Sequence, residues 1–204
     1  MKLASHNSLS GTGLKNWWLY PFYFIGLCQT KSIESQFKAG VRLFDIRINS
    51  RLDNVLESAH GLLRFCGGIE ETLEWLSKKA EETGEEIWIR IILEQNYKMG
   101  NQPERDKIFC NHCEYLEEKY GKLNFFCGRR KYDFEELYRF KNVAHEPRIL
   151  ELYSSVTSLF KWWPNKFKIL DDWCPFLYAL INNRRIKKKY LGSTGYDYLM
   201  IDFI

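Results

Sequence analysis

This 204-residue chain has no apolar run long enough to span a membrane, so no transmembrane helix is expected. It shows no export signal either, because Met1-Lys2-Leu3-Ala4-Ser5-His6 leaves no room for one before chemically interesting residues begin. Its cysteines lack a pattern. Cys28, Cys66, Cys110, Cys113, Cys127 and Cys174 are scattered, unlike the framework of a small secreted scaffold, and read as free thiols in a reducing compartment. Cys110-Asn111-His112-Cys113 is a lone CxxC without a second ligand pair, which reads as thiols packed along a helix. A phosphate-binding glycine fingerprint is missing after the first strand, which counts against a dinucleotide fold. A strong excess of one charge sign is missing too, with 30 Lys and Arg against 26 Asp and Glu. A net +4 favours phosphates or acidic lipid surfaces only weakly and gives no reason to expect nucleic acid. No repeat, low-complexity tract or linker divides the chain, so residues 1–204 read as one domain, expected to be a monomer, cytoplasmic or peripheral at a membrane.

What is present is a large apolar complement: 45% hydrophobic residues, enough for a real core rather than a disordered chain. Eight segments read as strands. They are Leu3–Ser8, Val41–Ile48, Val55–Gly61, Ile87–Glu94, Lys122–Cys127, Arg148–Tyr153, Phe167–Asp171 and Tyr198–Ile204. Between them, helical patterns cover Thr30–Ala39 (stopped by Gly40), Ile69–Thr83 (stopped by Gly84), Pro103–Lys119, Asp133–Phe140 and Pro175–Tyr190. Such alternation predicts an α/β protein with a parallel sheet. Polar residues recur at the strands' C-terminal ends, which favours a small, distorted (β/α)8 TIM-like barrel.

The strand Gly40-Val41-Arg42-Leu43-Phe44-Asp45-Ile46-Arg47-Ile48 organises the rest. Asp45 and Arg47 leave one face, while Phe44, Ile46 and Ile48 leave the other. In a barrel, the first pair lines the mouth and the apolar set packs on helices. Alone, an Asp–Arg pair can simply satisfy itself. The same rim, however, also collects His6, His60, Glu94 and Asp202, and strand eight closing on strand one places Asp202 beside His6. Two imidazoles flanking a guanidinium suit cleavage of a phosphodiester by an internal hydroxyl: one base, one acid, and a cation on the phosphoryl group. A carboxylate beside the base fixes its tautomer. Arg90 shares a face with Glu94 and reads as its interior partner. His112, mid-helix, and His145, ahead of its strand at the opposite face, read as structural.

Ser5-His6-Asn7-Ser8, then Gly40 to Arg47, then Ala59-His60-Gly61 resembles the X-domain of phosphatidylinositol-specific phospholipases C, the bacterial type in particular. The similarity runs through Ile92-Leu93-Glu94-Gln95-Asn96-Tyr97. It implies a distorted TIM barrel that cleaves a phospholipid at the diacylglycerol oxygen. His6 is then the general base on the inositol 2-hydroxyl, Arg47 the phosphate clamp and His60 the general acid, with Asp45 and Asp202 in support. Where bacterial relatives carry Asp after the first histidine, this chain has Asn7, an amide that can hold His60 without offsetting its charge. Asn7, Asp45 and Glu94 resemble three calcium-binding positions of the eukaryotic enzymes, and Arg47 occupies the fourth. A fixed guanidinium there repels a cation, so no metal or other cofactor is expected; calcium through Asn7, Asp45 and Glu94 is the alternative. The head group is not legible. Arg129, Arg130, Tyr153 and Asp171 are rim candidates only. A glycerophosphodiester suits the same kit, and Asn7 motivates a further alternative, a non-catalytic head-group or membrane-binding module.

Two tryptophan pairs follow strands: Trp17-Trp18, with Tyr20, Phe22, Tyr23 and Phe24, after the first, and Trp162-Trp163-Pro164 after the sixth. Lys15, Lys161 and Lys166 flank them. Rings with a polar edge settle at the membrane–water interface, so both pairs are candidate contacts with a phospholipid surface. Trp162-Trp163, bracketed by lysines and followed by proline, is expected to be the exposed loop. The Trp17 segment is expected to lie partly in the core.

Overall fold

The computed structural model describes residues 1–50, 53–94, 102–128, 136–141, 143, 145–152, 175–191 and 195–204. Its strands are β1 (Lys2–Ser5), β2 (Val41–Ser50), β3 (Leu56–His60), β4 (Leu63–Arg64), β5 (Trp88–Leu93), β6 (Asn124–Cys127), β7 (Ile149–Glu151) and β8 (Tyr198–Ile201). The helices are α1 (Tyr23–Gly26), α2 (Ile33–Lys38), α3 (Ile69–Thr83), α4 (Gln102–Lys119) and α5 (Pro175–Tyr190), and a six-residue 3₁₀ helix, Trp17–Phe22, precedes α1. The protein is a mixed α/β fold in which a curled, half-barrel sheet is backed by helices. Six strands run parallel in the order β6-β5-β2-β1-β8-β7, and among the described residues β6 and β7 are the open edges.

Side-chain alternation sorts the sheet into two faces. Outward, Phe44, Ile46 and Ile48 of β2 are fully buried, as are Ile89 and Ile91 of β5 and Leu199 and Ile201 of β8. They form the main core with Ile69, Leu73 and Leu76 of α3 and Phe109, Cys113 and Leu116 of α4. Inward and low, Ala4, Leu43, Trp88, Phe126, Tyr198 and Met200 plug the interior. Above that plug the inward positions turn polar: Asp45 and Arg47 on β2, Arg90 on β5, and Glu94, His6 and Asp202 one residue beyond the ends of β5, β1 and β8. The step of two residues from plug to polar layer is thus common to several strands, which is why their ends converge.

Local signals account for the helix limits. Ser32 caps α2 by accepting the Ser35 N–H, and Gly40, at φ 94°, ends the turn after it. Gly84, at φ 67°, closes α3 in the left-handed region. Two sequence expectations fail. The segment read as the third barrel strand is not parallel: β3 lies antiparallel to β2, pairing Ile48 with Ser58 and Ser50 with Leu56. It does so because β1 stops at Ser5, opposite Phe44, and leaves the upper edge of the long strand β2 unpaired. The helix expected over Asp133–Phe140 is also absent from the described part, Glu136–Phe140. The strand expected at Phe167–Asp171 lies outside the described residues.

Candidate active site

His6 follows β1 immediately and is buried. Parallel pairing of Ser5 with Ile201 sets it level with Asp202, and His6 Nδ1 lies 2.6 Å from Asp202 Oδ1. On the other side of the ring, Arg47 NH2 is 2.6 Å from His6 Nε2. A guanidinium only donates, so Nε2 accepts, and the imidazole proton resides on Nδ1, shared with Asp202.

Arg47 is fixed on three sides. Its Nε donates to Asp45 Oδ2 at 3.1 Å and its NH1 to Glu94 Oε1 at 2.7 Å, in addition to the contact with His6. Asp45 Oδ2 also accepts the backbone N–H of Asn7 at 3.0 Å, and Asp45 Oδ1 accepts Arg90 Nε at 2.8 Å. Burial opposes ionisation of Asp45, but the guanidiniums of Arg90 and Arg47 outweigh it and hold the carboxyl well below the usual range. Arg90 continues to Glu151 and to Met200 Sδ. The expected Arg90–Glu94 pairing is thus replaced by Arg90–Asp45, the partner that strand register puts directly opposite.

His60 arrives from the antiparallel ribbon. Two residues past the Ser58–Ile48 pair, it comes back down toward the end of β1, and its ring centroid is 6.4 Å from that of His6 at 87°. Gly61, at φ 58°, and Leu62 make the tight turn into β4, so His60 occupies the last rung before the turn. Gly26 closes over it: a Cβ there would stand 3.2 Å from His60 Nδ1 and 2.4 Å from Leu63 Cδ1.

All six expected mouth residues, His6, Asp45, Arg47, His60, Glu94 and Asp202, therefore gather here, with Asn7 next to His6. Asn7 sits in the left-handed region at φ 42°, and its buried Nδ2 finds no hydrogen-bond partner among the described residues. His112 is buried in α4, with its pKa lowered by that burial, and His145 is exposed ahead of β7; neither joins the mouth residues. Arg129, Arg130, Tyr153, Asp171, Trp162 and Trp163 lie outside the described residues. As expected, the Trp17 segment lies partly in the core, where Leu19 is buried and Tyr23 packs against its cluster with Leu14, Leu63 and Phe65, while the other rings of the segment are exposed. Trp17 is 75% and Trp18 64% accessible, with Tyr20, Phe22 and Phe24 also exposed, and Leu19 is its buried anchor. Asn16 ties this segment to the β3–β4 turn, which directly follows His60, by donating to Leu62 O and accepting from Arg64 N.

Sequence reasoning missed two residues. Gln29 donates to the carbonyls of His6 and Ile201 and accepts from Ile204 N, clasping the ends of β1 and β8. Cys28, fully buried next to it, stands beside Asp202 and His6. Burial pushes its thiol pKa well up, and the charge of Asp202 adds to the shift. No pattern in the sequence marks Cys28. Gln29 is a polar residue at the edge of an apolar stretch, a weak clue.

The curled α/β half-barrel, with two imidazoles, a guanidinium and carboxylates at its mouth, has a phospholipase-C-like fold by its likeness to solved structures. Solved structures to which it is similar include bacterial phosphatidylinositol-specific phospholipases C. The enzyme from Listeria monocytogenes aligns over 98% of this chain and 87% of its own, with a TM-score of 0.57 and 20% identity. A structure of the Staphylococcus aureus enzyme aligns over 98% and 85%, at 0.59 and 17%; a double mutant of that enzyme gives 98% and 84%, at 0.59 and 18%. No family model matches the sequence, and no curated protein matches it. Among the described residues no helix is long and apolar enough to cross a membrane.

Proposed function

We propose that this chain is a phosphoric diester hydrolase of the phosphatidylinositol-specific phospholipase C type, on a distorted (β/α)8 barrel. Its substrate is a phospholipid, phosphatidylinositol for preference, in a membrane surface. The observation that carries the reading is the continuous chain Asp202–His6–Arg47 with His60 facing it. A phosphoryl group drawn onto Arg47 takes that guanidinium from His6 and frees Nε2. His6 then removes the proton of the inositol 2-hydroxyl, whose oxygen attacks phosphorus. His60 protonates the departing diacylglycerol oxygen, giving a cyclic inositol phosphate. Asp202 holds the imidazolium formed on His6, while Asp45 and Glu94 hold Arg47. Exposed Trp17 and Trp18 support contact with the bilayer, in keeping with the membrane binding of the S. aureus enzyme.

The test is release of diacylglycerol from phosphatidylinositol vesicles. Acid–base catalysis by one side chain contributes about 10²–10⁴-fold, so His6→Ala and His60→Ala each lower the rate by at least roughly 100-fold without a loss of fold. Near-full activity in either variant refutes the two-histidine mechanism. Asn7, whose buried amide nitrogen has no hydrogen-bond partner among the described residues, favours a second reading, a head-group-binding module without turnover. Vesicle binding with no product from any phosphodiester supports that alternative.

A further inference from the structure

Cys28 has no part in the chemistry above, yet it lies under the base. Its Sγ, a ring nitrogen of His6 and a carboxylate oxygen of Asp202 all stand within 4.8 Å of one another, and all three residues are buried. Among the described residues no other group of histidine, cysteine and carboxylate side chains comes together this way. Thiolate, imidazole and carboxylate are the donors that zinc takes in its three-ligand sites, where a fourth position stays open. Oxygen-preferring calcium and magnesium do not select such a set.

We infer that Cys28, His6 and Asp202 form an inhibitory site for a borderline-soft divalent cation such as Zn2+. Bonds of about 2.3 Å to sulfur and about 2.0–2.2 Å to nitrogen and oxygen require the ion to part the His6–Asp202 contact. Cys28 gives up its thiol proton to water. The imidazole binds through Nδ1, so its single proton moves to Nε2. There it abolishes the basic lone pair and meets Arg47, a donor that already occupies that position. Thiolate and carboxylate together balance the 2+ charge, and Arg47 lies beyond the ring, on the side away from the ion. The ion is thus unnecessary for catalysis and incompatible with it.

The experiment uses the full chain and Co2+ as a spectroscopic probe. One equivalent of Co2+ is expected to give a thiolate-to-cobalt charge-transfer band that excess Zn2+ erases. Cys28→Ala and, separately, Asp202→Asn should each lose it, whereas replacing the exposed Cys66 by alanine should keep it. Circular dichroism shows whether each variant is folded. Absence of the band in the native chain, or an equal band in folded Cys28→Ala, overturns the site. The inhibition arm rests on the proposed diesterase: Zn2+ should inhibit the native chain at concentrations at least tenfold lower than Cys28→Ala. Full native activity with the site occupied overturns the inhibitory role, and a chain without any turnover still decides the site through the cobalt band.

Discussion

Replacing Arg90 with methionine removes one of the two guanidiniums that hold Asp45 while keeping an apolar stem of similar reach. Deleting one partner of a buried ion pair costs about 3–5 kcal/mol. Asp45 keeps Arg47 and the Asn7 N–H, and the exposed side of Glu151 can turn to water, so the lower end, about 3 kcal/mol, applies. At about 2–4 °C per kcal/mol for a chain of this size, Tm at pH 7 should fall by roughly 6–12 °C. Thermal unfolding followed by circular dichroism measures it. The pH dependence gives a second, independent check. Asp45 has its folded pKa below its unfolded value of about 3.9, so its contribution is present above about pH 4 and is lost as pH falls through the folded value. Arg90→Met raises the folded pKa, so the gap in Tm between the native chain and the variant should narrow once the pH falls below the variant's raised folded pKa. A Tm within about 2 °C of the native value at pH 7, or a gap that does not narrow in acid, refutes the role assigned to this pair.

The double variant His6→Ala with His60→Ala should be barely slower than either single variant, because paired catalysts act as one unit; additive losses argue against a shared step. Turnover should survive a calcium chelator, while Arg47→Asp, which completes an oxygen cluster with Asn7, Asp45 and Glu94, should confer calcium binding measurable by calorimetry. Native activity lost in chelator and restored by calcium reverses this. Trp17→Ala with Trp18→Ala should weaken binding to phosphatidylinositol vesicles and cleavage of bilayer lipid, and spare a soluble head-group diester. Since both rings are exposed, a large fall in Tm or an equal loss of both activities refutes a membrane role.

The two faces of β2 were legible from alternation alone, and so was α3, because its apolar stripe and Gly84 agree on one element. The direction of β3 was not. Alternation has the same period in parallel and antiparallel strands, and only connection length separates the two. The five residues between β2 and β3 are too few for a parallel crossover, which takes a dozen or more, so the antiparallel turn was implied by spacing but outweighed by the repeating strand–helix pattern. Arg90 was assigned to Glu94 because they share a face within one strand. The register across strands, which sequence does not provide, put Asp45 closer. Cys28 and Gln29 reach partners more than 170 positions away, where no local pattern can point.

Asn7 shows how geometry changes the meaning of a motif position. At φ 42° the backbone occupies a region that asparagine and aspartate enter more readily than most residues. Its N–H is committed to Asp45 whichever side chain it carries. An aspartate there would therefore make the same turn, and the difference between the two falls on charge. The buried layer already sets three carboxylates, Asp45, Glu94 and Asp202, against two guanidiniums, Arg47 and Arg90. A fourth carboxylate needs a cation to face, and His60 in its protonated form is the group whose arrival through the hairpin supplies one. With an amide instead, the layer keeps its present balance and His60 gains no ionic partner from position 7. The exchange thus leaves the hydrogen bonds around His6 and Arg47 untouched and, on the proposed mechanism, acts on the acid.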